Sequence, residues 1–194
     1  MKRKNSHFEN NEPILEKTLS CLRFQKIIKR IPSNAKILDL GCGFKGNLLH
    51  KLENNISFGV GIDIFVDNSY ENNKIKLINH NLNLPLPFKN KDFDVVISLA
   101  NLEHLNNPLE NMREIYRVLK NDGAFLLTTP TTYAKRILEF AAFRLSIISK
   151  QEIHDHKNYF NKKILLSYCK KVGFKSTSHK YFQIFMNNFV IAKK

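Results

Sequence analysis

The chain has no tryptophan, three cysteines, six prolines and seven glycines in 194 residues. Its cysteines, Cys21, Cys42 and Cys169, are odd in number and scattered. They fit neither a disulfide framework nor a metal-ligand spacing, so no metal is expected and a reducing cytoplasm is the default compartment. No apolar run reaches the roughly 18 residues that suggest a transmembrane helix. The opening stretch MKRKNSHFENNEP is basic with no apolar run behind it, so no secretory signal is expected. Internal repeats and low-complexity linkers are missing too. Acidic residues are scarce: 17 Asp and Glu stand against 31 Lys and Arg, a net charge of +14. Such an excess attracts nucleic acid, anionic lipid or a phosphorylated substrate. The chain is also rich in Lys, Asn and Ile throughout, so a compositional origin is the other reading, and the charge alone does not choose between them. No aromatic-interleaved arginine cluster accompanies it, and nucleic acid is not an expected partner. An anionic membrane surface stays open as a partner, and the oligomeric state is not legible.

What is present reads as a soluble globular chain: 43% hydrophobic and 25% charged residues. Short apolar runs alternate with segments of helical period, the pattern of a parallel α/β sheet. The runs AKILDL (35–40), FGVGID (58–63), IKLIN (75–79), FDVVISLA (93–100) and GAFLLTT (123–129) are five expected strands. Their near-continuous apolarity suits strands covered on both faces. Helices are expected over 14–30, 47–53, 108–120, 133–149 and 162–172, with a short one after Asp63. Pro108 starts the third of these and NDG (121–123) stops it, while Asn161 caps the last and Gly173 ends it. The tail reads as two strands turning at Asn187-Asn188, an antiparallel hairpin at the sheet edge. The expected organisation is an N-terminal helical extension (1–31) followed by one domain (32–194).

The most informative stretch is ILDLGCGFKGNLL (37–49). Gly41-x-Gly43-x-x-Gly46 matches the dinucleotide fingerprint letter for letter. A pyrophosphate, however, seeks bare backbone N–H groups at a helix N-terminus. Asp39, two residues ahead of the first glycine, would repel it by a few kcal/mol in a cleft of low dielectric. An acid at this strand end suits a ligand with a cation there, such as the ammonium of an amino acid.

S-adenosylmethionine is such a ligand, and ILDLGCGFKG resembles the first motif of the class I S-adenosylmethionine-dependent methyltransferases, with the compact stand-alone bacterial type the nearest in overall pattern. The downstream stretch NHNLNLPLPFKNKDFDVVISLANLEHLNNP is similar to the family's LPF turn, FDVV strand and EHL ending. The resemblance implies a Rossmann-like, doubly wound seven-stranded sheet, mostly parallel with the antiparallel C-terminal hairpin. It implies S-adenosylmethionine as cofactor. Asp39 and the Gly41–Cys42–Gly43 turn would hold the methionine end, Asp63 the ribose hydroxyls and Ile64 the adenine. Asn81 and Leu82 fall where the family contacts adenine, and Leu99 ends the fourth strand beside the donor. Two positions depart from the family pattern. Asn81 replaces a usual Asp, keeping an acceptor but losing its charge. Lys45 stands where a third glycine is common, pointing to solvent or pairing with the donor's carboxylate.

Methyl transfer to a hydroxyl needs orientation and a proton acceptor, commonly histidine. His156 in EIHDHKNYF ranks first, His154 second and His104 of LEHL third. The fourth strand lacks an Asn/Asp-Pro-Pro-aromatic motif and the chain has no Pro-Cys pair. Both absences disfavour nucleobase methylation and leave a small-molecule acceptor, an oxygen of a sugar or related metabolite. The alternatives are a quinone or lipid methylated at a membrane surface, and a non-catalytic S-adenosylmethionine-binding regulatory protein.

Overall fold

The computed structural model describes residues 14–134 and 157–194. Its elements in chain order are α1 (Ile14–Ile28), β1 (Ala35–Leu40), α2 (Asn47–Leu52), β2 (Ile56–Asp63), β3 (Ile75–Asn79) and β4 (Phe93–Leu99). There follow α3 (Pro108–Val118), β5 (Leu119–Pro130), α4 (Lys162–Val172), β6 (Ser176–Phe182) and β7 (Asn187–Lys193). Short 3-10 turns occupy Asn68–Tyr70 and Leu102–His104. Among the described residues seven strands form one sheet in the order β3-β2-β1-β4-β5-β7-β6. The first five are parallel to their neighbours, and β7 runs antiparallel to both β5 and β6.

Alternation along the strands sends side chains to opposite faces of the sheet. On one face Leu38 and Leu40 pack with Met112, Ile115 and Val118 of α3 and with Leu165 and Cys169 of α4. On the other, Ile37 packs with Ile27 of α1 and with Leu48, Leu49 and Leu52 of α2. Both faces are therefore covered, and this is the doubly wound sheet expected from the apolar runs. Asn161 caps α4 by accepting the Ile164 N–H at 2.9 Å. Gly173 closes the helix at φ +107°, donating its N–H to the carbonyls of Cys169 and Lys170. The helix expected over 133–149 lies outside the described residues beyond Ala134, where Thr131 Oγ1 accepts the Ala134 N–H.

Two turn expectations are corrected. Helix α3 ends at Val118, and NDG lies inside β5, where Asp122 at φ +64° forms an irregularity between Phe93↔Leu119 and Val95↔Ala124. The left-handed tendency of Asp is used to bulge a strand, not to end a helix. The tail hairpin turns over Gln183, Ile184 and Phe185, all at positive φ, and not at Asn187-Asn188. Asn188 is fully buried in β7 and serves as a polar staple. Its Nδ2 reaches the carbonyls of Phe160 (3.0 Å), Thr129 (3.3 Å) and Pro130 (3.4 Å), and its Oδ1 meets His179 Nε2 at 2.8 Å.

Replacing Asn188 by alanine removes the donor to these buried carbonyls and the partner of His179. We expect a loss of about 2–3 kcal/mol in urea unfolding. A loss below about 0.5 kcal/mol would mean that water replaces the amide without penalty.

Candidate functional site

The strand order reverses between β1 and β4, and in an open α/β sheet the crevice at the C-terminal ends of those strands receives the ligand. Asp39 lies in register with Gly61 of β2 and Ile97 of β4, one residue short of the end of β1. It is 3% exposed. Burial first, and the charge of Asp63 second, push its carboxyl up to about 7. A cation brought to this place would stabilise its ionised form.

Beyond β1 the backbone turns at Gly41, φ +78°, and Gly43, φ +73°. A Cβ at Gly41 would stand 2.9 Å from Cβ and Cγ of Asn101, so the loops leaving β1 and β4 touch there. A Cβ at Gly43 would meet nothing within 4 Å, so open room lies above this part of the turn. The Gly43 N–H donates to Asp63 Oδ2 at 3.0 Å, and the Ile64 N–H donates to Asp63 Oδ1 at 2.6 Å. Asp63 therefore ties the end of β2 to the glycine turn while its side stays half-buried. Ile64, 52% exposed, offers an apolar surface next to it.

Cys42 sits beneath this turn. Its Sγ takes the space that a Cβ at Gly61 would fill, 2.7 Å from that position. Burial and the two nearby carboxylates raise its thiol far above the ordinary range, so it stays protonated and packs as a small apolar group. Lys45 is accounted for within the chain: its Nζ lies 5.2 Å from the Tyr70 ring, on the side of Asp67.

The remaining candidates divide. Asn81 is exposed, and its Oδ1 accepts from the backbone and side chain of Asn83 at 3.0 and 3.1 Å, so its acceptor is spent on a local turn. Leu82 is buried in the core, with its carbonyl held by Asn111 Nδ2 at 3.1 Å. The LPLPF turn that follows is clamped to α3: Arg117 donates to the carbonyls of Leu86 and Phe88, and Glu114 accepts the Leu86 N–H. Leu99 ends β4 and is half-buried, and Ala100 after it is held at φ +48°. His104 closes the 3-10 turn and is half-buried. His154 and His156 lie outside the described residues.

Glu103, beside His104, is 1% exposed, and burial raises its carboxyl above the usual range. Oε2 accepts from Thr129 Oγ1 at 3.0 Å, while Oε1 is buried without a hydrogen-bond partner among the described residues. Its backbone carbonyl accepts from both Lys157 and Asn158 N–H at 3.0 Å, tying the β4 loop to the segment leading into α4. Asn101, whose Nδ2 is likewise buried without a partner among the described residues, has no counterpart among the residues that the sequence points to. Its signal is positional: it is the polar residue next to the strained Ala100.

Comparison with known proteins agrees with this geometry. Residues 15–179 match the family described as Methyltransferase domain. The chain is 29% identical over 133 residues to a sarcosine/dimethylglycine N-methyltransferase of Aphanothece halophytica, covering 62% of this chain and 47% of that protein. It is 36% identical over 115 residues to an uncharacterised protein of Methanocaldococcus jannaschii, covering 55% of this chain and 41% of that protein. The chain thus spans less than half the length of these curated relatives. Its fold is similar to that of a SAM-dependent methyltransferase of Archaeoglobus fulgidus, with a TM-score of 0.69 and 16% identity, over 91% of this chain and 94% of that one. The chain belongs to the methyltransferase domain family, and its sheet has the fold of that SAM-dependent methyltransferase.

Proposed function

We propose that this protein transfers the methyl group of S-adenosylmethionine to a small molecule, and that the receiving atom is an oxygen of a sugar or related metabolite. The observation that carries the donor half is Asp39, an acid buried at the end of β1 with its carboxyl pushed up to about 7. Such a group wants a cation, and the open room above Gly43 supplies the space for one. When bound, the cofactor supplies a methyl group on a sulfonium, electrophilic enough to need no acid from the protein. What falls to this chain is binding, orientation and proton removal. Asp39 would hold the donor's ammonium, Asp63 its ribose hydroxyls, and Ile64 one face of its base. Leu99 and Asn81 would stand beside it, with Cys42 and Leu82 packed behind as support. Proton removal from the acceptor would fall to His156, then His154, then His104.

The oxygen assignment rests on the missing nucleobase motifs: the residues after β4 read Ala100-Asn101-Leu102, with no proline pair. A second reading, transfer to an amine nitrogen, is favoured by Glu103, whose buried Oε1 has no partner among the described residues. The name of the Aphanothece halophytica relative points the same way. An amine must shed a proton before it attacks, and a carboxylate at the β4 loop would draw the protonated form in. Incubation with labelled S-adenosylmethionine and parallel pools of polyols and amines separates the two. Label in neither pool, with donor binding intact, would send the search to larger acceptors.

The sign of the pH dependence follows from Asp39. With its carboxyl near 7 in the unliganded protein, it is largely protonated at pH 5.5, and holding a cation there requires release of that proton. Donor affinity measured by calorimetry should therefore fall by up to about tenfold per pH unit below 7. Proton uptake by buffers of different ionisation heat reports the same release. In Asp39→Asn the slope should vanish, and affinity at pH 7.5 should drop roughly tenfold to a hundredfold. An unaltered slope in the variant would remove Asp39 from the donor site. Glu103→Gln should leave donor affinity within about twofold. If the amine reading holds, it should raise the acceptor KM by about tenfold.

A further inference from the structure

The turn joining β6 to β7 holds three successive residues in a backbone region that their side chains disfavour. Gln183, Ile184 and Phe185 stand in succession at φ +51°, +53° and +63°. The left-handed region is uncommon for any residue with a side chain and a true outlier for a β-branched one. Asparagine or glycine would adopt it more cheaply.

The surroundings fix this backbone firmly. Met186 N–H donates to Gln183 O at 3.0 Å, Thr131 Oγ1 donates to Phe185 O at 2.9 Å, and Thr131 N–H donates to Met186 O at 2.9 Å. Gln183 reaches the Leu19 carbonyl of α1 with Nε2 and takes a hydrogen bond from Asn187 with Oε1. These bonds use the backbone and Gln183, and they leave the two apolar side chains outside. Ile184 is 86% exposed and Phe185 65%. The Phe185 ring lies 5.7 Å from that of Tyr181, which is 43% exposed, and Tyr133, 61% exposed, follows Thr131 by two residues.

Strain held in place to display apolar side chains marks a contact with something outside the fold. Charge says what kind of surface it is. Lys180 is exposed on β6 one residue before Tyr181. Lys162 and Lys163, at the start of α4, line a shallow depression with Tyr181 and Leu166. An apolar tip with Tyr181 beside it and Lys162 and Lys163 next to that tyrosine, on a chain of net charge +14, is complementary to an anionic bilayer. The aromatic rings suit the headgroup level, and the ammonium groups suit the lipid phosphates.

The position in the sheet gives the contact a purpose. Asn187 pairs with Pro130 at the C-terminal end of β5. That is the edge at which the glycine turn leaves β1 and the Glu103 loop leaves β4. We propose that the β6–β7 turn is a membrane anchor which seats the mouth of the proposed donor site on an anionic lipid surface, so that the acceptor oxygen is presented there by a sugar or related group on the polar head of an amphipathic bilayer molecule. Membrane binding itself does not depend on the methyl-transfer reading; the nature of the acceptor does.

The test uses the full chain and its Ile184→Asn/Phe185→Asn variant, which removes both apolar side chains and fits the left-handed backbone better. The melting temperature of the variant is expected to equal or exceed that of the parent. The parent should co-sediment with phosphatidylcholine vesicles containing phosphatidylglycerol at low salt. It should not co-sediment with pure phosphatidylcholine, and binding should weaken as salt rises to 0.5 M, about the concentration at which surface charges are screened. Vesicle binding by the variant should fall about tenfold or more. Calorimetric titration of both proteins with S-adenosylmethionine separates the readings: unchanged donor affinity with lost vesicle binding supports the anchor. No sedimentation of the parent with anionic vesicles overturns it. Equal binding by parent and variant overturns it in favour of lysines alone. Self-association of the parent without vesicle binding, abolished in the variant, makes the turn an interface between copies and also overturns it.

Discussion

The feature on which the site depends is the convergence of two carboxylates, Asp39 and Asp63, on one glycine turn. Parallel pairing of β1 with β2 brings the ends of both strands to the same edge of the sheet, so their terminal acids are neighbours by topology. Burial takes away the water that would screen Asp39, and Asp63 adds a like charge; both raise its carboxyl. The turn answers only part of this charge. Gly43 and Ile64 give their N–H groups to Asp63, and Asp39 draws no comparable stabilisation. A buried acid in this place disfavours a pyrophosphate and favours a cationic group, the electrostatic basis of the donor reading proposed above. Such asymmetry turns a letter-perfect dinucleotide fingerprint into the opposite of a phosphate site.

The packing beneath the turn follows from the same constraint. To bring the backbone over the ends of β1 and β2, the chain places Cys42 downward, and only a glycine at position 61 leaves room for its sulfur and for Leu77. A bulkier residue at position 61 would push Cys42 up and with it the N–H that Asp63 accepts. Core packing and charge placement are thus one problem at this point. The clamp of Arg117 and Glu114 on the LPLPF turn performs the corresponding task on the far side, fixing the loop between β3 and β4 through α3.

Much of the fold was legible because buried parallel strands announce themselves as apolar runs. AKILDL and IKLIN coincide with β1 and β3 to the residue, and 162–172 with α4, whose Asn cap and Gly stop have one meaning each. The misreadings share a cause: asparagine and aspartate signal turns only when their side chains are free to serve local backbone. Asn188 serves three distant carbonyls in the interior instead, and Asp122 bends a strand. The real tail turn carries Gln, Ile and Phe, residues that no turn rule selects. In the site, Asp39 could be read by electrostatics alone. The bond from Gly43 to Asp63 and the approach of Asn101 to Gly41 could not, since each joins residues 20 or more positions apart.

The turn joining β6 to β7, where three successive residues run against local preference, lies at the edge where β5 ends. Consistency between local preference and global fold is what a folding chain is selected for, and exceptions collect where function demands them. Ala100 at φ +48° is such an exception at the C-terminal end of β4. Gln183, Ile184 and Phe185 are three more on the same rim, and there the exposed side chains are apolar. A turn kept only to reverse the chain would relax to asparagine or glycine at no loss of packing, since neither Ile184 nor Phe185 contributes to the buried core. That these residues sit instead at the mouth of the site, bonded through Thr131 to the end of β5, ties the strain to what approaches that mouth.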